Sequence, residues 1–301
     1  MVKVPDQRKA VHTMKERGLS ENKACLFVKI SRSSYRYQAH PIDDTVLIIW
    51  LRTFSGKYPR HGYRQAHMQL VRSGVVINHK KVERIWQEQG LSVPRVRRKR
   101  RRGKGTTLPI SAKYPNHVWT YDFMEDSCLE GQRLRLLTVV DEYTRESLAI
   151  HVDTSIPSSQ VKIVLQLLFV TRRVPTYLRS DNGPEFIAYS IQDWLKEQGV
   201  QTKYIEPGKP WQNAYGESFN SRFRDECLNQ EVFYSVPDAR AITDTWRQYY
   251  NTRRLHSSLG YQTPENIRKE WEQSYMGALP PSPRGLPLEG HPDGPKEKAT
   301  L

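Results

Sequence analysis

Cysteine is scarce in this sequence, since Cys25, Cys128 and Cys227 are the only three among 301 residues. They are odd in number and far apart, so neither a disulfide framework nor a zinc module fits them. Long apolar runs are also missing, because none reaches the roughly 18 residues that a membrane-spanning helix needs. The first residues contain no apolar segment typical of a signal peptide. We therefore expect a reduced, cytoplasmic protein without a membrane partner.

Acidic residues are scarce in the first 110 positions, which hold 7 Asp and Glu against 25 Lys and Arg. Residues 111–301 are close to neutral, with 25 Asp and Glu against 22 Lys and Arg. The whole excess behind the net charge of +15 thus comes from the N-terminal third. A basic N-terminal third followed by a near-neutral remainder predicts that the N-terminal third binds a polyanion.

The most basic segment is residues 95–104, where eight of ten residues are Lys or Arg. No core can hold such a run, so we interpret residues 93–112 as an exposed linker. A merely solvated stretch is the alternative, but so many like charges repel one another without a partner, which favours contact with DNA phosphates. The predicted contacts are Arg95, Arg97, Arg98, Lys99, Arg100, Arg101, Arg102 and Lys104.

Two helical segments precede this linker. Residues 1–40 contain short helical stretches joined by a tight turn, and this pattern suits a helix-turn-helix. Residues 41–92 suggest three more short helices, the last of which starts at the possible cap Asn78 and closes at Gly90. The alternative is a plain helical hairpin with a solvated basic face. The predicted DNA contacts in these segments are Arg32, Arg36, Arg64, Lys80, Lys81 and Arg84.

The hydrophobic periodicity changes from residue 116 onward. Residues 113–232 give the element order βββαβαβα, which predicts an α/β fold with a mixed sheet and packed helices. This is the order of a ribonuclease-H-like core, although the pattern leaves other α/β sheets open. A helical extension is expected at residues 233–276. Residues 277–301 are rich in Pro and Gly and predict a disordered tail.

Three carboxylates stand out by their context. Asp122 interrupts an apolar, aromatic strand, Asp181 follows a strand and precedes a sharp turn, and Glu217 lies in a helix beside a glycine. Taken singly, these could be an arginine partner, a turn residue and a surface residue. Taken together, three oxygen donors at one end of a sheet predict a site for hard cations. Two Mg²⁺ ions there would support phosphoryl transfer.

The motifs around these carboxylates resemble a known family. Asp122 lies in Trp-Thr-Tyr-Asp, Asp181 in Ser-Asp-Asn-Gly-Pro-Glu-Phe, and Glu217 in Asn-Ala-Tyr-Gly-Glu-Ser-Phe-Asn, with 35 residues between the last two carboxylates. This pattern is similar to the integrase core of DDE transposases. The motifs at 61–64, 78–82 and 250–265 resemble the OrfB protein of bacterial insertion-sequence family number three. Leu255 departs from that family, which usually has proline there.

The resemblance implies roles for individual residues. Asp122, Asp181 and Glu217 would be catalytic and would bind two Mg²⁺ ions, for which Mn²⁺ could substitute. Asn182 and Gly183 would shape the loop beside the second aspartate, and Asn182 would also contact DNA. Asn213, Asn220 and Arg224 share a helix face with Glu217 and are expected to face DNA, although an ordinary polar helix face is the alternative. Arg254 is a weaker candidate for a DNA contact.

The resemblance also implies an activity and partners. The protein would bind the terminal inverted repeats of its element, cleave there, and join the released 3′-hydroxyl to another phosphodiester. Its partners would be double-stranded DNA, at the element ends and the target, and an OrfA product or a frameshift fusion to it. Synapsis of two ends would require at least a dimer. We expect a bacterial, nucleoid-associated protein.

Two other functions stay open on the sequence. One is a regulatory or inactive DNA-binding relic, against which the intact Asp122, Asp181 and Glu217 argue. The other is a structure-selective nuclease of the same fold that performs no strand transfer. The two N-terminal helical segments favour recognition of specific ends over recognition of DNA structure.

Overall fold

The computed structural model describes residues 3–38, 43–92, 111–180, 189–204 and 213–278. The chain forms two compact units, residues 1–52 and 53–301. Residues 93–110 of the basic linker, residues 279–301 of the predicted tail, Asp181 and Asn182 lie outside the described residues. Within the described part, no helix combines the length and the apolar character that crossing a bilayer requires.

The first unit is helical. It contains α1 (Val4–Glu16), α2 (Glu21–Val28), α3 (Arg32–Arg36) and the beginning of α4 (Thr45–Lys57). Val11, Ala24 and Cys25 form its small core. The Ser31 side chain accepts a hydrogen bond from the backbone N–H of Ser34 and so caps α3.

The second unit begins with the remainder of α4, followed by α5 (Tyr63–Arg72) and α6 (His79–Glu88). Asn78 caps α6 as expected, because its side chain accepts a hydrogen bond from the backbone N–H of Lys80. Gly90 has a φ of +67°, the left-handed conformation that ends a helix at low cost for glycine.

The centre of the second unit is a mixed five-stranded sheet in the order β3-β2-β1-β4-β5. Its strands are β1 (Val118–Ser127), β2 (Arg133–Asp141), β3 (Ser147–Asp153), β4 (Tyr177–Ser180) and β5 (Gln201–Tyr204). The first three strands are antiparallel, while β4 pairs in parallel with β1 and β5. This confirms the predicted ribonuclease-H-like order and mixed sheet.

Helices cover both faces of this sheet. They are α7 (Ser158–Arg172), α8 (Tyr189–Glu197), α9 (Ala214–Phe223) and α10 (Val236–Thr252). The last helix, α11 (Pro264–Ala278), packs on α10. Because strand side chains alternate, Trp119 and Tyr121 belong to the core under α7 and α8. Met124 belongs to the opposite core, together with Phe219 and Phe223 of α9. Asp122 therefore lies on the face of β1 that α9 covers.

One predicted helix is irregular. The helix that carries Glu217, α9, ends at Phe223 and continues as a π-helical turn, Arg224–Leu228. A π-turn inserts one extra residue, which rotates the side chains that follow it. In this chain the rotated segment carries Glu226, whose contacts are described below.

Candidate active site

Asp122 lies in the middle of β1 and is partly buried. One of its carboxylate oxygens accepts a hydrogen bond of 2.8 Å from the backbone N–H of Phe123. The other accepts a hydrogen bond of 2.8 Å from the side-chain amide of Asn220 on α9. These two contacts fix the orientation of the Asp122 carboxyl group.

Asn220 is itself held in place by the sheet. Its side-chain oxygen accepts a hydrogen bond of 3.0 Å from the hydroxyl of Thr138, the direct partner of Asp122 on β2. Asn220 is 8% exposed. Asn220 is therefore largely withdrawn from solvent, whereas the sequence predicted an exposed position facing DNA, and its side chain orients Asp122. Nothing in the sequence indicated that the hydroxyl of Thr138 would hold Asn220 in place.

Asn213 makes a second link between α9 and β1. It is 4% exposed and its side-chain oxygen accepts a hydrogen bond of 2.6 Å from the buried hydroxyl of Thr120. The adjacent Gly216 allows this, because a Cβ at that position would lie 2.7 Å from the Asn213 side-chain oxygen. The expected role of Asn213 at the DNA surface is thus replaced by a structural one.

Glu217 lies on the same stretch of α9 and is exposed. Asn213 contacts Thr120, Asn220 contacts Asp122, and Arg224 donates to the carbonyl of Glu125, so α9 follows β1 in the same direction. Arg224 also lies 3.4 Å from the carboxylate of Asp126, with 40% of its side chain exposed. This arrangement leaves part of its guanidinium group open to an anion.

A buried ion pair stands at the strand that precedes Asp181. Arg179 of β4 and Glu142, in the turn after β2, lie 2.9 Å apart and are almost fully buried. Burial raises the pKa of Glu142 to about 7, while the positive charges of Arg179 and Arg145 oppose this rise. The pair connects the β2–β3 turn to the end of β4.

Arg254 is placed differently from the expected DNA contact. It is 7% exposed and donates two hydrogen bonds, of 2.7 and 2.5 Å, to the carboxylate of Glu226 in the π-turn. Burial alone would raise the pKa of Glu226, but hydrogen bonds and charges from Arg254 and His61 lower it to about 2. A guanidinium engaged in this way is not available to a phosphate.

This buried pair also contacts the helical module at residues 53–92. His61, in the segment before α5, lies 3.6 Å from Glu226, and its ring stacks on Tyr58 at 5.1 Å. Tyr58 stacks in turn on Tyr249 of α10 at 5.2 Å. Gln65 donates a hydrogen bond of 2.7 Å to the carbonyl of Leu255. Nothing in the sequence marked Glu226, because a Glu in a polar helical stretch predicts a surface position.

The basic residues predicted upstream are mostly at the surface. Arg32, Arg36, Arg64, Lys80 and Arg84 are exposed, and Lys81 is half-buried. Arg36 pairs with Glu21 at 2.7 Å, and Arg84 pairs with Glu88 at 2.9 Å. The described residues thus leave several cations accessible on α3, α5 and α6. The eight predicted contacts of the linker, with Asn182, lie outside the described residues.

The donors present fit a hard divalent cation. Asp122 offers carboxylate oxygens fixed by neutral donors, and Glu217 offers an exposed carboxylate. Within the described ranges there is no group of three His, Cys, Asp or Glu side chains that could hold a metal. The third predicted ligand, Asp181, lies outside those ranges.

Replacing Asn220 by alanine should weaken metal binding without removing a ligand. The Asp122 carboxylate would lose its oriented donor, and partners of this kind typically change metal affinity by about 10–100-fold. The measurement is the Mg²⁺ concentration for half-maximal cleavage of labelled DNA. Asn220→Asp, which cannot donate from that position when ionised, should raise that concentration too. An unchanged Mg²⁺ requirement in both variants would show that Asn220 does not support the metal site.

Comparisons with known proteins agree with this architecture. A family model described as "Integrase core domain" matches residues 112–210, a second with the same description matches residues 198–264, and one described as "HTH-like domain" matches residues 42–100. The insertion element IS407 uncharacterized 31.7 kDa protein of Burkholderia multivorans is 41% identical, over 83% of this chain and 90% of its own length.

A more distant relative is named as a transposase. The putative transposase InsK for insertion sequence element IS150 of Escherichia coli is 29% identical, over 72% of this chain and 79% of its own length. Among solved structures, the HTLV-2 integrase catalytic core domain in complex with magnesium is 16% identical, with a TM-score of 0.43 over 52% of this chain and 97% of that one.

Proposed function

The chain belongs to the integrase-core transposases of bacterial insertion sequences, the OrfB type of family number three, and from this we propose that it cleaves and joins DNA by metal-dependent phosphoryl transfer. One observation carries the proposal. Thr120 of β1 pairs in parallel with Arg179 of β4, and each of these residues precedes one of the two aspartates by two positions in the sequence. The helix that carries Glu217 is tied to the same stretch of β1 through Asn213 and Asn220.

In this proposal Asp122, Asp181 and Glu217 hold two Mg²⁺ ions, which Mn²⁺ could replace. Bound metal would lower the pKa of the attacking water and stabilise the leaving oxygen. Asn220 keeps the Asp122 carboxylate oriented, and Arg224 presents a partly open guanidinium to the DNA backbone. Cleavage releases a 3′-hydroxyl at the element end. That hydroxyl then attacks a second phosphodiester, so one bond forms as another breaks.

We propose that the N-terminal helical segments and the basic linker hold the element ends. The exposed cations on α3, α5 and α6 support this role, because phosphate contacts by Lys and Arg provide most of the affinity for DNA. Base contacts from the same helices would recognise the terminal inverted repeats. Assembly on two ends would use at least a dimer, with an OrfA product or a frameshift fusion to OrfA as partner.

Deleting residues 95–104 should weaken DNA binding and reduce its dependence on salt. Each lost phosphate contact lowers the slope of log K against log salt by about 0.9. In the variant, a Gly/Ser linker of equal length replaces residues 95–104. The measurement is the affinity for a labelled duplex at several salt concentrations, from low to moderate. A slope equal to that of the intact chain would contradict the role of the linker.

The proposed function is tested by metal removal. The full chain, incubated with a labelled duplex that carries an element end, should cleave it in the presence of Mg²⁺ or Mn²⁺. Chelation with EDTA should stop cleavage, and added Mg²⁺ should restore it. Cleavage that persists in EDTA would contradict a metal-dependent mechanism.

A further inference from the structure

A second positively charged site lies on another face of α9. Tyr215, Ser218 and Arg222 are spaced three and four residues apart, so they share one face of the helix. Glu217, Asn213, Asn220 and Arg224 occupy the face that follows β1. Arg222 therefore lies on a different face of α9 from Glu217.

Arg145 joins this face from the turn between β2 and β3. Its guanidinium carbon lies 3.6 Å from the centre of the Tyr215 ring, a close cation–π stack. Arg145 has a φ of +64°, a left-handed conformation that is unfavourable for a residue with a side chain. A strained turn residue that is held against an aromatic ring points to a functional constraint.

Arg222 carries a charge that its surroundings do not neutralise. It is half-buried and donates hydrogen bonds to the carbonyl and the hydroxyl of Ser218. Its pKa is lowered, first by burial and then by the positive charges of Arg254 and Arg145, with Tyr250 and Glu226 opposing this. Within the described part of the chain, no carboxylate forms an ion pair with Arg222.

The nearby carboxylates are already engaged. Glu226 accepts two hydrogen bonds from Arg254, and Glu142 pairs with Arg179. The Arg145 guanidinium donates a hydrogen bond to the backbone carbonyl of Glu142. Among the described residues, neither Arg145 nor Arg222 forms an ion pair with a carboxylate. Uncompensated, partly desolvated guanidinium groups are costly for folding and favourable for an incoming phosphate, which they can bind through two N–H groups.

We propose that Arg145, Tyr215 and Arg222 form a binding site for backbone phosphates of DNA, on a face of α9 separate from the metal ligands. This inference rests on the proposed function and deepens it. It places a further DNA contact in the unit that contains the sheet, in addition to the contacts proposed for the N-terminal helices. Tyr215 and the carbonyl of Glu142 fix the position of the Arg145 guanidinium, and Ser218 fixes that of Arg222.

The test measures binding of a random-sequence DNA duplex to the full chain without Mg²⁺, as a function of salt. Arg145→Gln and Arg222→Gln should each reduce the slope of log K against log salt by about 0.9, and the double variant by about 1.8. Arg222→Lys keeps the charge and should keep the slope. The control is Arg240→Gln, because Arg240 is already paired with Asp153 at 2.7 Å and should not change the slope.

Thermal unfolding in the absence of DNA provides a second readout. Replacing Arg222 by methionine removes the uncompensated charge, so its Tm should equal or exceed that of the parent chain, whereas a structural arginine would lower it. Slopes unchanged in both glutamine variants, or a reduced Tm for R222M, would overturn the site. A parent chain that binds no duplex would instead refute the proposed function, which separates the two failures.

Discussion

Replacing Asp122 by asparagine should abolish Mg²⁺-dependent cleavage, with a loss of about 10³-fold or more. Metal bound by the proposed ligands would supply several kcal/mol of transition-state stabilisation, and each 1.36 kcal/mol corresponds to a factor of about 10 in rate. Asp181→Asn and Glu217→Gln should have the same effect. The measurement is single-turnover cleavage of a labelled element end, with DNA binding followed in parallel.

The matched control is Glu125→Gln, which removes an exposed carboxylate from the same strand as Asp122. This variant should cleave at the parent rate. End binding should stay largely intact in all three triad variants, because the N-terminal cations remain. Cleavage retained in any one of the triad variants would show that its carboxylate is not a metal ligand.

Replacing Glu226 by alanine should destabilise the second unit by about 3–5 kcal/mol. The substitution leaves the guanidinium of Arg254, which is 7% exposed, without its partner. The measurement is the free energy of unfolding in urea. The matched control is Glu88→Ala, which breaks the exposed pair with Arg84 and should cost less than about 1 kcal/mol.

The Glu226 carboxylate also makes the free energy of unfolding depend on pH in the acid range. Its pKa is lowered from 4.5 to about 2, so the pair contributes its full stability above about pH 4.5 and loses it as the pH falls toward 2. The parent chain should therefore lose more stability than Glu226→Ala over this range. Equal acid sensitivity of the two chains, or a loss from the alanine substitution no larger than that of the surface control, would contradict the role of Glu226.

The sequence predicted the fold because its period-2 and helical patterns are long and clear. The apolar, aromatic residues around Asp122 indicated the strand β1, and the patterns that follow it indicated the other strands and helices of the mixed sheet. The cap at Asn78 was predictable for the same reason, since its side chain accepts a hydrogen bond from the backbone N–H of Lys80. Local rules determined these features.

The sequence did not predict contacts that depend on distant partners. Asn213 and Asn220 lie on the face of Glu217, but helical spacing cannot show that Thr120 and Thr138 cover them. Arg254 was predicted to meet DNA, because the sequence does not reveal that a π-turn presents Glu226 to it. Arg145 and Arg222 are far apart in the chain, so only the tertiary fold brings their charges together.

We propose that this chain joins DNA strands as well as cutting them. The most direct measurement incubates the full chain, with an OrfA partner supplied in one arm, with a labelled element end, Mg²⁺ and a target plasmid. We expect labelled end covalently joined to plasmid, and no joined product with Asp122→Asn. Cleaved end without joining in both arms would identify a nuclease. Binding without cleavage in either arm would identify a regulatory DNA-binding protein, and each of these results would contradict the account.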